Sequence, residues 1–394
     1  MAFVSSCKRW RTKGLVCQSW QEILTMQSGR SIDSSLNAIC PYFTMFPLSF
    51  PLSILQRFGR TGEWVIDPFC GRGTTNYASR ALNMPSIGID SSRVAVALTQ
   101  AKLANTSSQR IIATAEHILS SGPAASNVPT GEFWRWAYHP KVLTALCKLR
   151  EALIHDCRSD SRKALRALLL GALHGPRPKT KNSYFSNQSP RTYAPKPNYA
   201  VNYWRLHSLR PPYVDVLEII RERAKRYFND GGSSCIGKVI RADSRKSDTY
   251  NKLLTGEQIK WIITSPPYYG MRTYIADQWL RNWFVGGTDT VDYSTNHQLT
   301  HFSPNDFTSD LKLVWKNVAS ICSDDARLVI RFGGINDRKV DPISLLKTSL
   351  ADSGWRIQTI RSAGEPSKGR RQAEHFTNVG EPVGEWDIWA KRDD

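Results

Sequence analysis

Trp64-Val65-Ile66-Asp67-Pro68-Phe69-Cys70-Gly71-Arg72-Gly73-Thr74-Thr75 reads as a strand, Trp64 to Asp67, that runs into a glycine turn and the start of a helix. Gly71 and Gly73 allow a tight turn and a close backbone approach to a ligand, and Thr74 and Thr75 stand where a helix is capped. Ser86-Ile87-Gly88-Ile89-Asp90 is a second short strand ending in an acid, about 20 residues on, where a doubly wound sheet holds a ribose diol. The turn is not a phosphate loop. No Lys-Ser/Thr follows its glycines, and Asp67 repels a pyrophosphate while attracting a cation. A ligand with a nucleoside at one end and an amino-acid ammonium at the other suits this turn, and S-adenosylmethionine is such a ligand.

A second organised stretch is Trp261-Ile262-Ile263-Thr264-Ser265-Pro266-Pro267-Tyr268-Tyr269. Trp261 to Thr264 reads as another buried strand, and the double proline ends it as a stiff bracket that supplies no N–H. The Ser265 hydroxyl and the Ser265 and Pro266 carbonyls can accept hydrogen bonds from an NH2 group, while Tyr268 stacks on the ring that carries it. An aromatic amine is a poor nucleophile because its lone pair is spread into the ring. Acceptors that favour a tetrahedral, partly positive nitrogen lower the barrier to its alkylation.

Further strands are read at Lys238 to Asp243, Ala326 to Phe332, Trp355 to Arg361 and Glu385 to Ala390. Helices alternate with them at Leu52 to Phe58, Tyr274 to Phe284, Phe307 to Ile321 and Ile343 to Ser353. The alternation predicts an α/β fold, a doubly wound, mainly parallel seven-stranded sheet of Rossmann-like type. Residues 106–235 interrupt it as a helical and irregular basic insertion, with helices at Lys141 to Ile154, Arg162 to Leu173 and Val214 to Phe228. The expected organisation is a basic segment over 1–39, a discontinuous catalytic domain over 40–105 and 236–394, and the insertion as a target-recognition region.

Charge points to a polyanionic partner. Lys and Arg number 53 against 34 Asp and Glu, a net +19 over 394 residues, and each neutralised phosphate releases counterions. No acid occurs between Asp160 and Asp215. There Arg177, Lys179, Lys181, Arg191, Lys196, Arg205 and Arg210 are interleaved with Tyr184, Phe185, Tyr193, Tyr199, Tyr203 and Trp204. Such a tract holds phosphates and stacks on bases, with Asn182, Asn187 and Gln188 as reading amides. Lys368-Gly369-Arg370-Arg371 is a second phosphate contact in the loop before the last strand.

Other classes are excluded or disfavoured. The eight cysteines include no CxxC pair and read as reduced thiols. His297 and His301 have the spacing of a metal helix, but Gln298 replaces the acid of a zinc hydrolase. No metal is expected. No apolar run reaches the length of a membrane span. The acid-free start with Lys8, Arg9, Arg11 and Lys13 superficially fits a transit peptide, and a nucleic-acid-contacting start is preferred.

Asp67 to Thr75 together with Thr264 to Tyr268 resemble the SPPY-type amino-methyltransferases of DNA, which modify cytosine N4 or adenine N6. The similarity covers about 40–105 and 236–394 and leaves the insertion uncovered. It implies S-adenosylmethionine as cofactor, with Phe46 and Pro47 bordering it. Asp67, Phe69, Gly71, Gly73 and Thr74 would line its methionine end, Asp90 would hold the ribose, and Asp243 would lie near the adenine. Ser265, Pro266, Pro267 and Tyr268 would be the catalytic bracket. The first-position serine leans toward cytosine N4. Arg72 departs from the small residue usual there, and the insertion falls between the ribose acid and the adenine acid.

The target base must leave the duplex for its amine to meet the methyl donor. Double-stranded DNA is the expected partner, with a cognate restriction enzyme as a candidate second one, in a prokaryotic cytosol. No Pro-Cys dipeptide occurs, so C5-cytosine chemistry has no nucleophile. Three alternatives stay open: an adenine N6 enzyme, an RNA or tRNA guanine N2 enzyme, and a catalytically silent DNA-binding protein.

Overall fold

The computed structural model describes residues 35–41, 46–175, 183–188, 196–228, 235–251, 253, 258–270, 275–292, 298–334, 340–364 and 384–393. The fold described below is that of the unit Ser35–Asp394.

Seven strands form one sheet: β1 Trp64–Asp67, β2 Ser86–Asp90, β3 Gly237–Arg241, β4 Ile259–Thr264, β5 Cys322–Gly333, β6 Trp355–Gly364 and β7 Glu385–Arg392. Their order is β3-β2-β1-β4-β5-β7-β6. The pairs β1–β2, β2–β3, β1–β4 and β4–β5 are parallel, and β7 runs antiparallel to both β5 and β6. The expected doubly wound, mainly parallel sheet is present, with its last strand reversed. β1 and β4 are buried along nearly their whole length, which is why neither alternates in sequence. β6 is largely exposed, as the edge of a sheet permits.

The chain winds outward from β1 through β2 to β3, then restarts beside β1 with β4. The order therefore reverses between β1 and β4, the crevice in which open α/β sheets bind their ligands. One sheet face packs Ile66, Ile262, Leu328 and Ile330 against Phe307, Leu311, Trp315 and Leu346 of the helices Pro304–Ala319 and Pro342–Leu350. A second apolar core gathers Val94 and Leu98 of the helix Arg93–Leu103 with the helices of the insertion and with Trp279 and Trp283 of Ile275–Phe284.

The insertion is more helical than its sequence suggests. Besides the expected helices, Ser108–Ser121, Glu132–Ala137 and Pro197–Leu206 form. The last lies inside the tract read as irregular. Pro197 occupies its first turn, where a missing N–H costs nothing, and Ala200, Val201 and Trp204 turn one face inward. Trp204 is fully buried and donates its indole N–H to the Gln188 carbonyl at 3.0 Å. Phe185 is buried too, and the Asn187 amide donates to the carbonyls of Trp136 and Leu209. Asn187 and Gln188, read as base-contacting amides, are thus buried groups that brace the helical layer.

Candidate active site

Because β1 and β4 are parallel neighbours, the glycine turn and the proline bracket leave the same edge of the sheet side by side. The Thr264 hydroxyl donates to Asp67 Oδ1 at 2.6 Å, and the Thr75 hydroxyl donates to the Ile263 carbonyl at 3.0 Å. Two motifs 188 residues apart in sequence are joined at their roots.

Asp67 is wholly buried. Its Oδ1 also accepts the Phe69 N–H at 3.1 Å, whereas Oδ2 has no hydrogen-bond partner. Burial pushes this carboxyl up to about 7, against the opposing hydrogen bond from Thr264. A buried acceptor without a donor suits a cationic group arriving above the turn.

The two glycines of the turn do different work. Gly73, at φ 75°, precedes the helix Thr74–Ala81, and a Cβ there would lie 2.6 Å from Thr99. Gly71, at φ 50°, would place a Cβ in ordinary contact with the Phe69 carbonyl oxygen at 3.9 Å, without a clash. Asp90, at the end of β2, accepts the Gly71 N–H at 2.9 Å and the Ser92 N–H at 2.8 Å. Burial holds its carboxyl above the usual range, with those two N–H groups opposing. Its immediate task is to fix the turn, and each oxygen keeps a further acceptor position.

Phe46 packs edge-on to Phe50 at 5.4 Å, and the Pro47 carbonyl accepts the Phe50 N–H at 3.0 Å, so both open the helix Ser49–Phe58. Phe69 meets Trp315 edge-on at 6.1 Å, and Thr74 is buried at the start of its helix. Asp243 follows β3 and is gripped by Arg245 through bonds of 3.0 and 2.7 Å. Arg245 reaches on to Asp310 at 2.9 Å. Burial acts to raise the Asp243 carboxyl, but the Arg245 hydrogen bonds outweigh it and leave it below the ordinary range. The neighbouring Ser244 hydroxyl donates to the Pro68 carbonyl at 2.6 Å, which ties this loop to the glycine turn.

In the proline bracket Ser265 and Pro267 are half-buried and Pro266 is buried. The Tyr268 ring, read from sequence as stacking on the target base, is 9% exposed. It meets Phe332 edge-on at 5.2 Å and donates its hydroxyl to Glu385 Oε1 at 2.5 Å. The loop continues through Tyr269, edge-on to Phe307 at 5.4 Å, and Gly270, whose N–H donates to His301 Nδ1 at 3.2 Å. His301, half of a metal-like spacing, is thus a loop brace. Among the described residues no cluster of His, Cys, Asp and Glu could hold a metal.

Sequence reasoning missed Glu385, His301 and the Arg245–Asp310 pair. Glu385 lies 117 residues from Tyr268 and Asp310 lies 65 from Arg245, so no local pattern marked those partners, while the spacing of His301 from His297 pointed to a metal and not to the loop.

Of the basic residues expected to hold DNA, Arg177, Lys179, Lys181, Arg191, Arg370 and Arg371 lie outside the described residues. Lys196 is exposed at the start of the helix Pro197–Leu206. Arg205 pairs with Glu132, and Arg210 stacks over Trp136 at 4.5 Å. A cleft of about 490 Å³ between Phe58, Trp261, Arg327 and Trp389 opens near the amino-terminal ends of β1 and β4, away from both loops.

A family model described as DNA methylase matches residues 9–101. That stretch contains the glycine turn and Asp90, and it begins within the segment read as a basic extension. The match covers about a quarter of the chain and is to the kind of family that the sequence resembles. No curated protein matches the chain.

Among solved structures it is similar to the rRNA methyltransferase AviRa from Streptomyces viridochromogenes, with 14% identity, 92% of this chain and 94% of that one covered, and a TM-score of 0.35. It is also similar to TrmN from Thermus thermophilus, with 10% identity, coverage of 88% and 49%, and a TM-score of 0.34. A third is the magnesium protoporphyrin IX methyltransferase ChlM from Synechocystis PCC 6803 with bound SAM, with 10% identity, 95% coverage of each chain and a TM-score of 0.32. Likenesses this distant carry no argument about substrate.

Proposed function

We propose that the protein is an S-adenosylmethionine-dependent DNA methylase that transfers a methyl group to the exocyclic N4 amine of cytosine in duplex DNA, after the base has been flipped from the helix. The observation that carries the reading is the 2.6 Å Thr264–Asp67 hydrogen bond, which roots the glycine turn and the proline bracket in one crevice.

The residues present fit S-adenosylmethionine. Asp67 Oδ2, buried and without a donor, suits the amino-acid ammonium, and the bare Gly71 backbone lets a ligand rest on the turn. Phe69, Gly73 and Thr74 complete the methionine end, Asp90 offers its remaining acceptor positions to the ribose, and Phe46 and Pro47 border the site. Asp243 stands on the adenine side, with Arg245 holding its carboxylate in place. When bound, the cofactor supplies a methyl group already activated on a sulfonium. The protein supplies orientation, which provides much of the rate in such a displacement.

On the other side of the crevice, the Ser265 hydroxyl and the Ser265 and Pro266 carbonyls accept from the target NH2 and favour its pyramidal form. Pro266 and Pro267 keep those acceptors from turning away, and Tyr268 stacks on the extruded ring. The insertion over 106–235 serves target recognition, with its basic tract and Arg370 and Arg371 on phosphates. The serine at 265 favours cytosine N4 over adenine N6. Where a cognate restriction enzyme accompanies the protein, methylation protects the site it cuts.

The test offers labelled S-adenosylmethionine with duplex DNA and, in parallel, with tRNA. Label is expected in DNA, and Ser265→Ala and Tyr268→Ala abolish its transfer while cofactor binding stays within about twofold. Label in tRNA alone refutes the DNA assignment, and parallel loss of transfer and cofactor binding refutes the roles given to Ser265 and Tyr268.

A further inference from the structure

We propose that Glu385 is a positioning residue for methyl transfer: its carboxylate holds the Tyr268 hydroxyl and thereby sets the angle at which the ring meets the target base. The inference rests on the reading of Tyr268 as the stacking ring and adds to it a residue from the far end of the chain.

Glu385 is the first residue of β7 and pairs with Gly333, the last residue of β5. It is 8% exposed. A carboxylate is rarely so buried without a dedicated partner, and here Tyr268 donates to it at 2.5 Å. Gly333 makes the arrangement possible. A Cβ at that position would lie 3.2 Å from Glu385 Cγ and 3.2 Å from the Tyr268 ring, so a side chain there would press on both members of the pair. Phe332 adds an edge-on contact to the ring at 5.2 Å.

These contacts restrain different motions. The hydroxyl lies on the axis about which a tyrosine ring spins, so its hydrogen bond prevents the ring from swinging on Cα–Cβ but leaves the spin untouched. Gly333 and Phe332 pack beside the ring and limit the spin. The two prolines before Tyr268 fix the backbone from which it springs. A ring restrained in both senses is a preorganised platform, and such restraint raises the rate of a step that depends on alignment. The contact also gives the hydroxyl a purpose, since a phenylalanine would stack on a base as well as a tyrosine does.

The test compares Tyr268→Phe, Glu385→Ala, Glu385→Gln and the double variant Tyr268→Phe/Glu385→Ala in single-turnover methyl transfer to duplex DNA. Cofactor affinity and melting temperature are measured alongside. Tyr268→Phe and Glu385→Ala each slow transfer on the order of tenfold with the cofactor dissociation constant unchanged, because only alignment is lost. The double variant is no slower than the slower single one, since both remove the same contact. Glu385→Gln, which keeps an acceptor oxygen, restores most of the rate.

Independent, multiplying losses overturn the proposal, as does a full rate for Tyr268→Phe. Should Glu385→Ala melt early, Tyr268→Phe removes the same bond from the other side and decides the matter. Loss of transfer in Tyr268→Ala with full rates in both Tyr268→Phe and Glu385→Ala overturns the positioning role alone. A full rate in Tyr268→Ala overturns the stacking reading itself.

Discussion

Asp67 carries an electrostatic cost that cofactor binding can relieve. Its folded-state carboxyl titrates near 7, above the ordinary value of 3.8, because burial disfavours the charge. A raised folded value means that stability is fully present below the ordinary value and is lost as pH rises through the folded one. The cofactor-free protein therefore loses stability from this group between about pH 4 and pH 7. Asp67→Asn removes the charge, so the variant melts higher than the parent at pH 8 and nearly level with it at pH 4. Cofactor affinity falls in the same variant. A melting series across pH checks this, and a gap independent of pH contradicts it.

The glycines next to Asp67 separate fold from ligand. Gly73→Ala costs on the order of 1–3 kcal/mol through its left-handed φ, with the Thr99 clash added, and lowers the denaturation midpoint. Gly71→Ala, also at positive φ but without a clash, gives the smaller loss of stability and the larger loss of cofactor affinity. Both glycines were legible in the sequence as a turn. Their division of labour was not, because it is set by Thr99 in the helix Arg93–Leu103, beyond the second strand.

At the level of elements, the strands were legible because strands buried on both faces show as unbroken apolar runs. Trp64 to Ile66 and Trp261 to Thr264 are such runs. The reversal of β7 was not legible, since strand direction leaves no mark in an apolar pattern. Pro197–Leu206 was missed because its proline and exposed aromatics resemble a loop, although Pro at the first turn is compatible with a helix. Trp204 of that helix is fully buried, so Trp204→Ala should destabilise the protein by about 3–5 kcal/mol, read as a lower urea midpoint. A change below about 0.5 kcal/mol, the range of surface substitutions, would mean that this helix does not brace the core. Tyr199 on the same helix is half exposed, and its replacement by alanine serves as the control.

Across the whole molecule, the sheet order does what neither motif can do alone. The glycine turn and the proline bracket are separated by the entire insertion, and the parallel pairing of β1 with β4 brings them together at the point where the winding reverses. The pairing of the two motifs was legible from their chemistry; the bonds that join them, Thr264 to Asp67 and Thr75 to Ile263, were not, because each hydroxyl sits in an otherwise ordinary strand or helix start. The net charge of +19 favours a polyanionic partner, and the proposed function brings that partner's aromatic amine to this crevice. The most direct measurement is mass spectrometry of nucleosides from duplex DNA incubated with the protein and S-adenosylmethionine. N4-methylcytosine is the predicted product, absent with Ser265→Ala; unmodified DNA alongside demonstrable cofactor binding would contradict the account.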